Sequence, residues 1–478
     1  MASEEAANPG AQPAVPAAPP ARKKSRKKGK EKPKEDAQER GDKAGGREAE
    51  IEGLTRAGHR ALALGDVREA VGSFRKAFFL SGGTASPQLR RACAFNLGAA
   101  YVETGKPKKG LEFLLRSHPS EGESEEHADD LYFSIGAVHE GLRDFPKALE
   151  YFGKAVGHDG AAQAGSRAGT RVQMGCCYLG MREPARAARC FLDAARTYTA
   201  AASPEAAAVA LSRASGSMLQ SRQFRAAEIA GVLARCRSLC ESIPDPALRG
   251  KLYNDIGLGY SQLRIFSLAA ENFERALALR SGEPAGRGEA ALLQNLGAAH
   301  NALRSFGTAL GWHRRAAALH GALGNRRAQG QCFGNLAYAC SRLGNHEGAA
   351  ENYLHALQAF RDSGDVQGQW QACEGLGAAC FHLGHPRKAI GHYKEALTLL
   401  SHCQDTPRAA RERVVHKLTD AIQHQLCLHG RLARGGGRVP APAPQDAGQL
   451  WFCSTLPHAS GARLRGSKFL CGESPAWE

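Results

Sequence analysis

The chain repeats itself at a nearly fixed interval, and no other feature limits its possible folds so severely. Aligning Gly58, Gly98, Gly136, Gly175, Ser215, Gly257, Gly297, Ala337 and Gly377 gives successive spacings of 40, 38, 39, 40, 42, 40, 40 and 40 residues. The phrase around the anchor returns as NLGAAY (96–101), SIGAVH (134–139), QMGCCY (173–178), DIGLGY (255–260), NLGAAH (295–300), NLAYAC (335–340) and GLGAAC (375–380). A second phrase follows twelve residues later: a small residue, an aromatic four on, then Ala three beyond. It reads Ala70, Phe74 and Ala77 in the first unit, and recurs as Ala148, Phe152 and Ala155, as Ala269, Phe273 and Ala276, and as Ala389, Tyr393 and Ala396. Offsets of i, i+4 and i+7 share one helical face, so each unit reads as helix, turn, helix. The turns are short, as in LGD (64–66), LGN (343–345) and LGH (383–385), with Gly free to take the left-handed cap conformation.

One such unit cannot bury its apolar faces alone, whereas a stack can. The spacing therefore predicts an all-α solenoid of about nine helix pairs over residues 51–400. Gly inside a helix costs about 1 kcal/mol relative to Ala, so its recurrence marks a helix crossing, with the small residue of the second helix expected opposite. Residues 401–430 are expected to form a capping helix, using Val414, Val415, Leu418, Ile422 and Leu426. Residues 1–50 and 431–478 lack apolar periodicity and are rich in Lys, Pro or Gly, so both are expected to be disordered tails. Unit five reads as the weakest, with Ser215, Met218 and Gly231 in place of the preferred residues and two prolines in its linker, 241–250.

Composition closes off other classes. No run approaches the roughly 20 apolar residues of a membrane span, and the N-terminus lacks the apolar core of a signal peptide. The expected setting is intracellular, which fits 14 cysteines with no CxxC among them, read as reduced core residues. The formal charge of +16 is spread along the chain. Only Arg22, Lys23, Lys24, Arg26, Lys27 and Lys28 form a dense basic run, a candidate nuclear-import signal in an otherwise cytoplasmic protein. No aromatic residue interleaves with it to stack bases, so nucleic acid is not an expected partner; an RNA- or chromatin-associated adaptor acting through this arm is the alternative reading.

The order of small residue, Tyr, Ala, aromatic and Ala resembles the tetratricopeptide repeat, over roughly residues 50–400. The 40-residue period and the Leu-Gly-Asn triplets at 323–325 and 343–345 resemble the extended repeats of the Pins-like group. The resemblance implies a right-handed superhelix whose concave groove, lined by the first helices, binds protein or peptide partners. It does not extend to chaperone-tail binding, because the residue after the anchor is never Asn, nor to the G-protein-binding motifs of the Pins-like group, which the C-terminal tail lacks.

Catalysis finds no support. AYVETGK (100–106) lacks the first Gly and the hydroxyl residue of a phosphate loop, and Cys380, His382 and His385 lack an evident fourth ligand for a metal. The expectation is a non-catalytic scaffold with no cofactor, no metal, no small-molecule substrate and no membrane association. Helix geometry then selects the groove, since positions 2, 5, 9 and 12 of each first helix share a face. In units six to nine that face and its margin carry Lys251, Asn254, Gln262, Gln294, Asn295, Asn301, Gln331, Asn335, Arg342, Gln371 and Glu374, with Tyr338 and Phe381 for apolar contact. The amides are expected to bond a partner's backbone, so that losing Asn295, Asn335 and Arg342 together would abolish binding without loss of stability. Units two to four carry Phe95, Val102, Val172 and Leu179 instead.

Overall fold

A computed structural model of the chain describes residues 35–118, 128–157, 164–280, 286–403 and 408–432. These residues hold nineteen α-helices and no strand. The helices pair in chain order: α1 (Glu35–Ala63) with α2 (Val67–Ser81), α3 (Pro87–Glu103) with α4 (Pro107–Arg116), α5 (Ala128–Gly141) with α6 (Phe145–Gly157), and α7 (Ala164–Gly180) with α8 (Pro184–Ala200). Next come α9 (Pro204–Ser221) with α10 (Ala226–Cys240), α11 (Pro246–Gln262) with α12 (Phe266–Ala278), and α13 (Arg287–Ala302) with α14 (Phe306–Ala322). The last pairs are α15 (Arg326–Arg342) with α16 (His346–Asp362) and α17 (Val366–His382) with α18 (Pro386–Ser401), and α19 (Arg408–Leu432) follows.

The chain divides into two compact units, Met1–Cys93 and Ala94–Glu478. In the first, Ile51, Ala77 and Cys93 are buried among Leu54, Phe78, Leu80 and Leu89. Its leading helix begins at Glu35, so residues 35–50, expected within the N-terminal tail, are helical. Glu, Ala and Arg make up more than half of that stretch, and their helix propensity outweighs the intervening glycines. The basic run at residues 22–28 and the tail from 433 lie outside the described residues.

In both units the anchor glycine does one job. A Cβ on Gly58 would stand 2.7 Å from the ring of Phe74, and one on Gly257 would stand 2.5 Å from Phe273. The ring of the second helix, rather than its small residue, thus lies on the glycine; the sequence expectation of a Gly/Ala crossing needs that correction. A backbone without Cβ lets the ring sit this close at these crossings. Phe152, Phe191, Phe273 and Tyr393 are buried in this way, whereas Tyr353, whose pair has Ala337 at the anchor, lies against Gly375 of the following helix. Each such burial contributes about 2–3 kcal/mol. In the second pair two small residues meet, and a Cβ on Gly110 would stand 2.8 Å from the Gly98 carbonyl.

Unit five does not interrupt the stack. One apolar cluster runs from Ala168 to Ala299, through Leu211, Met218, Leu233 and Cys236. The loop before α10 shifts its register, so Gly231 is exposed and Ile229, Leu233, Cys236 and Cys240 form the buried stripe.

The turns explain the Leu-Gly-Asn triplets. Gly344 takes φ 80° to end α15, and Asn345 then accepts a hydrogen bond from the Gly348 N–H at 2.9 Å to cap α16. Gly324 and Asn325 do the same between α14 and α15. Elsewhere Arg143, Arg182, Arg264 and Arg304 hold the left-handed position with φ of 59–63°.

The capping helix is present as α19, but its packed face differs from the expected one. Ala410, Val414, Lys417 and Ala421 are buried and Leu418 is half-buried, while Val415, Ile422 and Leu426 are exposed. Lys417 can be buried because Glu374 meets it, a compensation that hydrophobic patterning does not register.

Candidate interaction face

Within the second unit, first helices of successive pairs touch along one edge, and hydrogen bonds stitch them together. Ser212 Oγ donates to Asp255 Oδ2 at 3.2 Å, joining α9 to α11. Gln294 Nε2 donates to Gln331 Oε1 at 3.0 Å, and Asn301 Nδ2 to the Asn335 carbonyl at 3.1 Å, joining α13 to α15. At the end of the array Arg413 reaches both Glu374 oxygens, at 2.8 and 2.9 Å, and Lys417 Nζ lies 2.8 Å from Oε1. Burial alone would raise the Glu374 pKa; the hydrogen bonds and charges of Arg413 and Lys417 outweigh it and hold the carboxyl below its usual range.

These contacts sort the residues chosen from sequence. Gln294, Asn295, Asn301, Asn335, Glu374 and Phe381 are buried. They stand on the chosen helix face, but small neighbours such as Ala298, Gly334 and Ala378 let adjacent first helices close over it. The Gln294 and Asn301 amides and the Glu374 carboxylate bond neighbouring helices, and the buried side chains do not line open space. Accordingly, the joint removal of Asn295 and Asn335 is a change to the interior, which the expectation of unchanged stability overlooked.

Lys251, Gln262 and Arg342 are exposed, and Asn254, Gln331, Tyr338 and Gln371 are half-buried. Two of these form a compact feature. The Arg342 guanidinium lies 5.4 Å from the Phe306 ring centroid and 6.0 Å from that of Tyr338, and the two rings meet edge-on at 6.1 Å. Cation–π contact of this kind, worth about 0.5–1 kcal/mol at an exposed site, fixes the cation without covering it. Lys251 and Asn254 sit beside Asp255, whose carboxyl is raised by burial against the opposing effects of Lys251, Ser212 and Asn254.

A second feature lies on α5, α7 and α9, where the sequence reading saw only apolar substitutions. Phe133, Val172, Leu179 and Leu219 are half-buried there, around Glu140, Cys176 and Arg213. Arg213 Nη1 approaches Cys176 Sγ at 3.6 Å, and burial pushes the Glu140 carboxyl up to about 7 despite the nearby Arg213 charge. The signal was available: Glu140, Cys176 and Arg213 occupy positions 12, 9 and 6 of consecutive units, a diagonal across adjacent helices.

Among the described residues, no group of three His, Cys, Asp or Glu could hold a metal, and no helix is long and apolar enough to cross a membrane.

The tetratricopeptide-repeat family model matches residues 330–363, which span most of α15 and α16. Among solved structures, the apo form of RapI aligns at 9% identity and TM-score 0.50, covering 73% of this chain and 97% of that one. At that identity the likeness concerns the fold alone. A signal-transduction ATPase with numerous domains and a tetratricopeptide repeat sensor, from Pyrococcus horikoshii, aligns at 14% identity and TM-score 0.46 over 69% of this chain; the match spans 51% of the ATPase. A tetratricopeptide repeat protein from Parabacteroides merdae aligns at 15% identity and TM-score 0.37, over 57% of this chain and 93% of that one. Repeats of this kind commonly serve as scaffolds for protein interaction. The chain thus carries a tetratricopeptide repeat at residues 330–363, set within a series of helix pairs with glycine–aromatic crossings.

Proposed function

We propose that the protein is a non-catalytic scaffold that binds a peptide segment of a protein partner along the edge where its first helices meet, with Arg342 and Tyr338 as the anchor. The observation that carries this reading is the exposed Arg342 guanidinium held over Phe306 and Tyr338. Arg and Tyr are the residue types that most often dominate binding energy, and a cation already held in place loses little conformational entropy on binding. The favoured partner segment carries a carboxylate or a cluster of backbone carbonyls for Arg342 and an apolar side chain for Tyr338.

Selection of a random peptide library displayed on phage against the intact protein tests this. Enriched peptides should contain an acidic residue near an apolar one and should lose binding to Arg342→Glu by at least roughly tenfold, about 1.4 kcal/mol. Full retention of binding by Arg342→Glu and by Tyr338→Ala would move the interaction surface elsewhere, first to the apolar patch around Arg213.

A further inference from the structure

The last helix presents two apolar stripes and uses one. Ala410, Val414, Lys417 and Ala421 pack into the second unit. On another face Val415, Ile422 and Leu426 remain 45%, 37% and 64% exposed. Offsets of seven and eleven residues place them in one line, roughly 16 Å long at the helical rise. No other described helix exposes three large apolar side chains. In the nine preceding pairs a first helix is followed by a second that covers it; α19 has no such successor among the described residues.

We propose that the chain's own residues 449–456, QLWFCSTL, dock on this stripe and stand in for the missing helix. They lie outside the described residues; the length and composition of the chain beyond α19 favour them. The helix ends at Leu432, six residues after Leu426. Residues 433–448, ARGGGRVPAPAPQDAG, come next. Sixteen extended residues reach about 50 Å, enough to return anywhere along the stripe, and the glycines allow the reversal. Leu450, Trp451, Phe452 and Leu456 are then the densest apolar group in the tail. A second copy of the protein is the weaker occupant. Three side chains fall well short of the roughly 800 Å² per partner of a stable interface, whereas a tethered segment docks at an effective concentration in the millimolar range and needs far less area.

Two native cysteines report on the contact. Cys427 is exposed on α19 next to Leu426, and Cys453 lies in the docking segment. In the full chain, a short bismaleimide should join Cys427 to Cys453 within one molecule, read as a linked peptide pair by mass spectrometry. The combined change Ile422→Glu and Leu426→Glu should reduce that product several-fold. Trp451→Ser with Phe452→Ser should do the same while leaving α19 unaltered, which separates lost docking from a disturbed helix. Absence of the link, a yield that neither variant changes, or a Cys427-to-Cys427 link in a species of twice the mass would overturn the proposal; the last outcome would assign the stripe to a second copy.

Discussion

Asn301 Nδ2 lies 3.2 Å from His313 Nε2 inside the seventh pair, where other pairs seat a phenyl or phenol ring. The imidazole rests on Gly297, on which a Cβ would come within 2.7 Å of the ring. Because Asn301 donates to Nε2, the ring is the neutral tautomer with its proton on Nδ1. Burial agrees, lowering the His313 pKa to about 3 against the opposing effect of the Gly297 carbonyl. The unfolded chain takes up a proton below about 6.5 and the folded chain only near 3. Stability contributed here is therefore intact above pH 6.5 and lost as the pH falls through that interval, by up to about 1.4 kcal/mol per unit. His313→Phe, matching Phe273 in the preceding pair, should flatten this acid limb. The check is urea denaturation at pH 7.5 and pH 5: the difference between the two should shrink in the variant, and an unchanged difference would contradict the assignment. His300 and His320, also lowered by burial, and Glu374, held below its usual range, are among the groups whose pH dependence this change leaves in place.

Glu374 is the hinge pin of the last helix. Changing it to Ala would leave Lys417, 5% exposed, without its carboxylate. Breaking a buried ion pair from one side costs about 3–5 kcal/mol. The loss should be local: hydrogen exchange should accelerate across residues 408–428 and stay slow in α13–α16. Replacing Glu374 and Lys417 together by Leu should restore most of the protection, since a packed apolar pair avoids the desolvation cost.

Which features were legible in the sequence depends on which contacts each residue makes. The crossings were readable because a helix-interior glycine and an aromatic at a fixed offset are both unusual and both local. His313 kept that offset and lost the residue type, so a search for aromatic rings passed over it. The groove was harder. Asn295, Asn335 and Glu374 lie on the face that helical periodicity selects, yet whether that face is open depends on how closely the next helix approaches, and that distance is set by residues some forty positions away. The packed stripe of α19 was misread for a related reason: Lys417 interrupts the apolar pattern, and its partner Glu374 stands in a different helix.

Arg304 closes the turn between α13 and α14 at φ 62°, a conformation that Gly344 and Gly384 adopt at equivalent turns without strain. A side chain in that region costs about 1–2 kcal/mol, and part of the relief from removing it is returned as unfolded-chain entropy. Arg304→Gly should raise stability by about 0.5–1 kcal/mol. A denaturation midpoint at or below wild type would show that the arginine makes a compensating contact.

The remaining prediction separates holding the stack together from binding a partner. Asn301 is 2% exposed, and its amide bridges His313 to the Asn335 carbonyl. Truncating it to Ala strips a buried ring nitrogen of its donor, at about 1–3 kcal/mol when left unsatisfied, while the Asn335 carbonyl, inside α15, keeps its intrahelical bond. Asn301→Ala should therefore lower the Tm by several degrees. Arg342 stands on the same first-helix edge at the next pair but is exposed, and its contacts to Phe306 and Tyr338 are worth about 0.5–1 kcal/mol. Arg342→Ala should move the Tm by no more than a degree or two while removing the anchoring cation. Measured side by side for helix content, Tm and capture of library-selected peptides, Asn301→Ala should bind well below its transition and Arg342→Ala should fold normally without binding. If Arg342→Ala instead loses stability and Asn301→Ala loses binding in the folded state, the division between stitching residues and anchoring residues is reversed, and the buried amides take part in recognition after all.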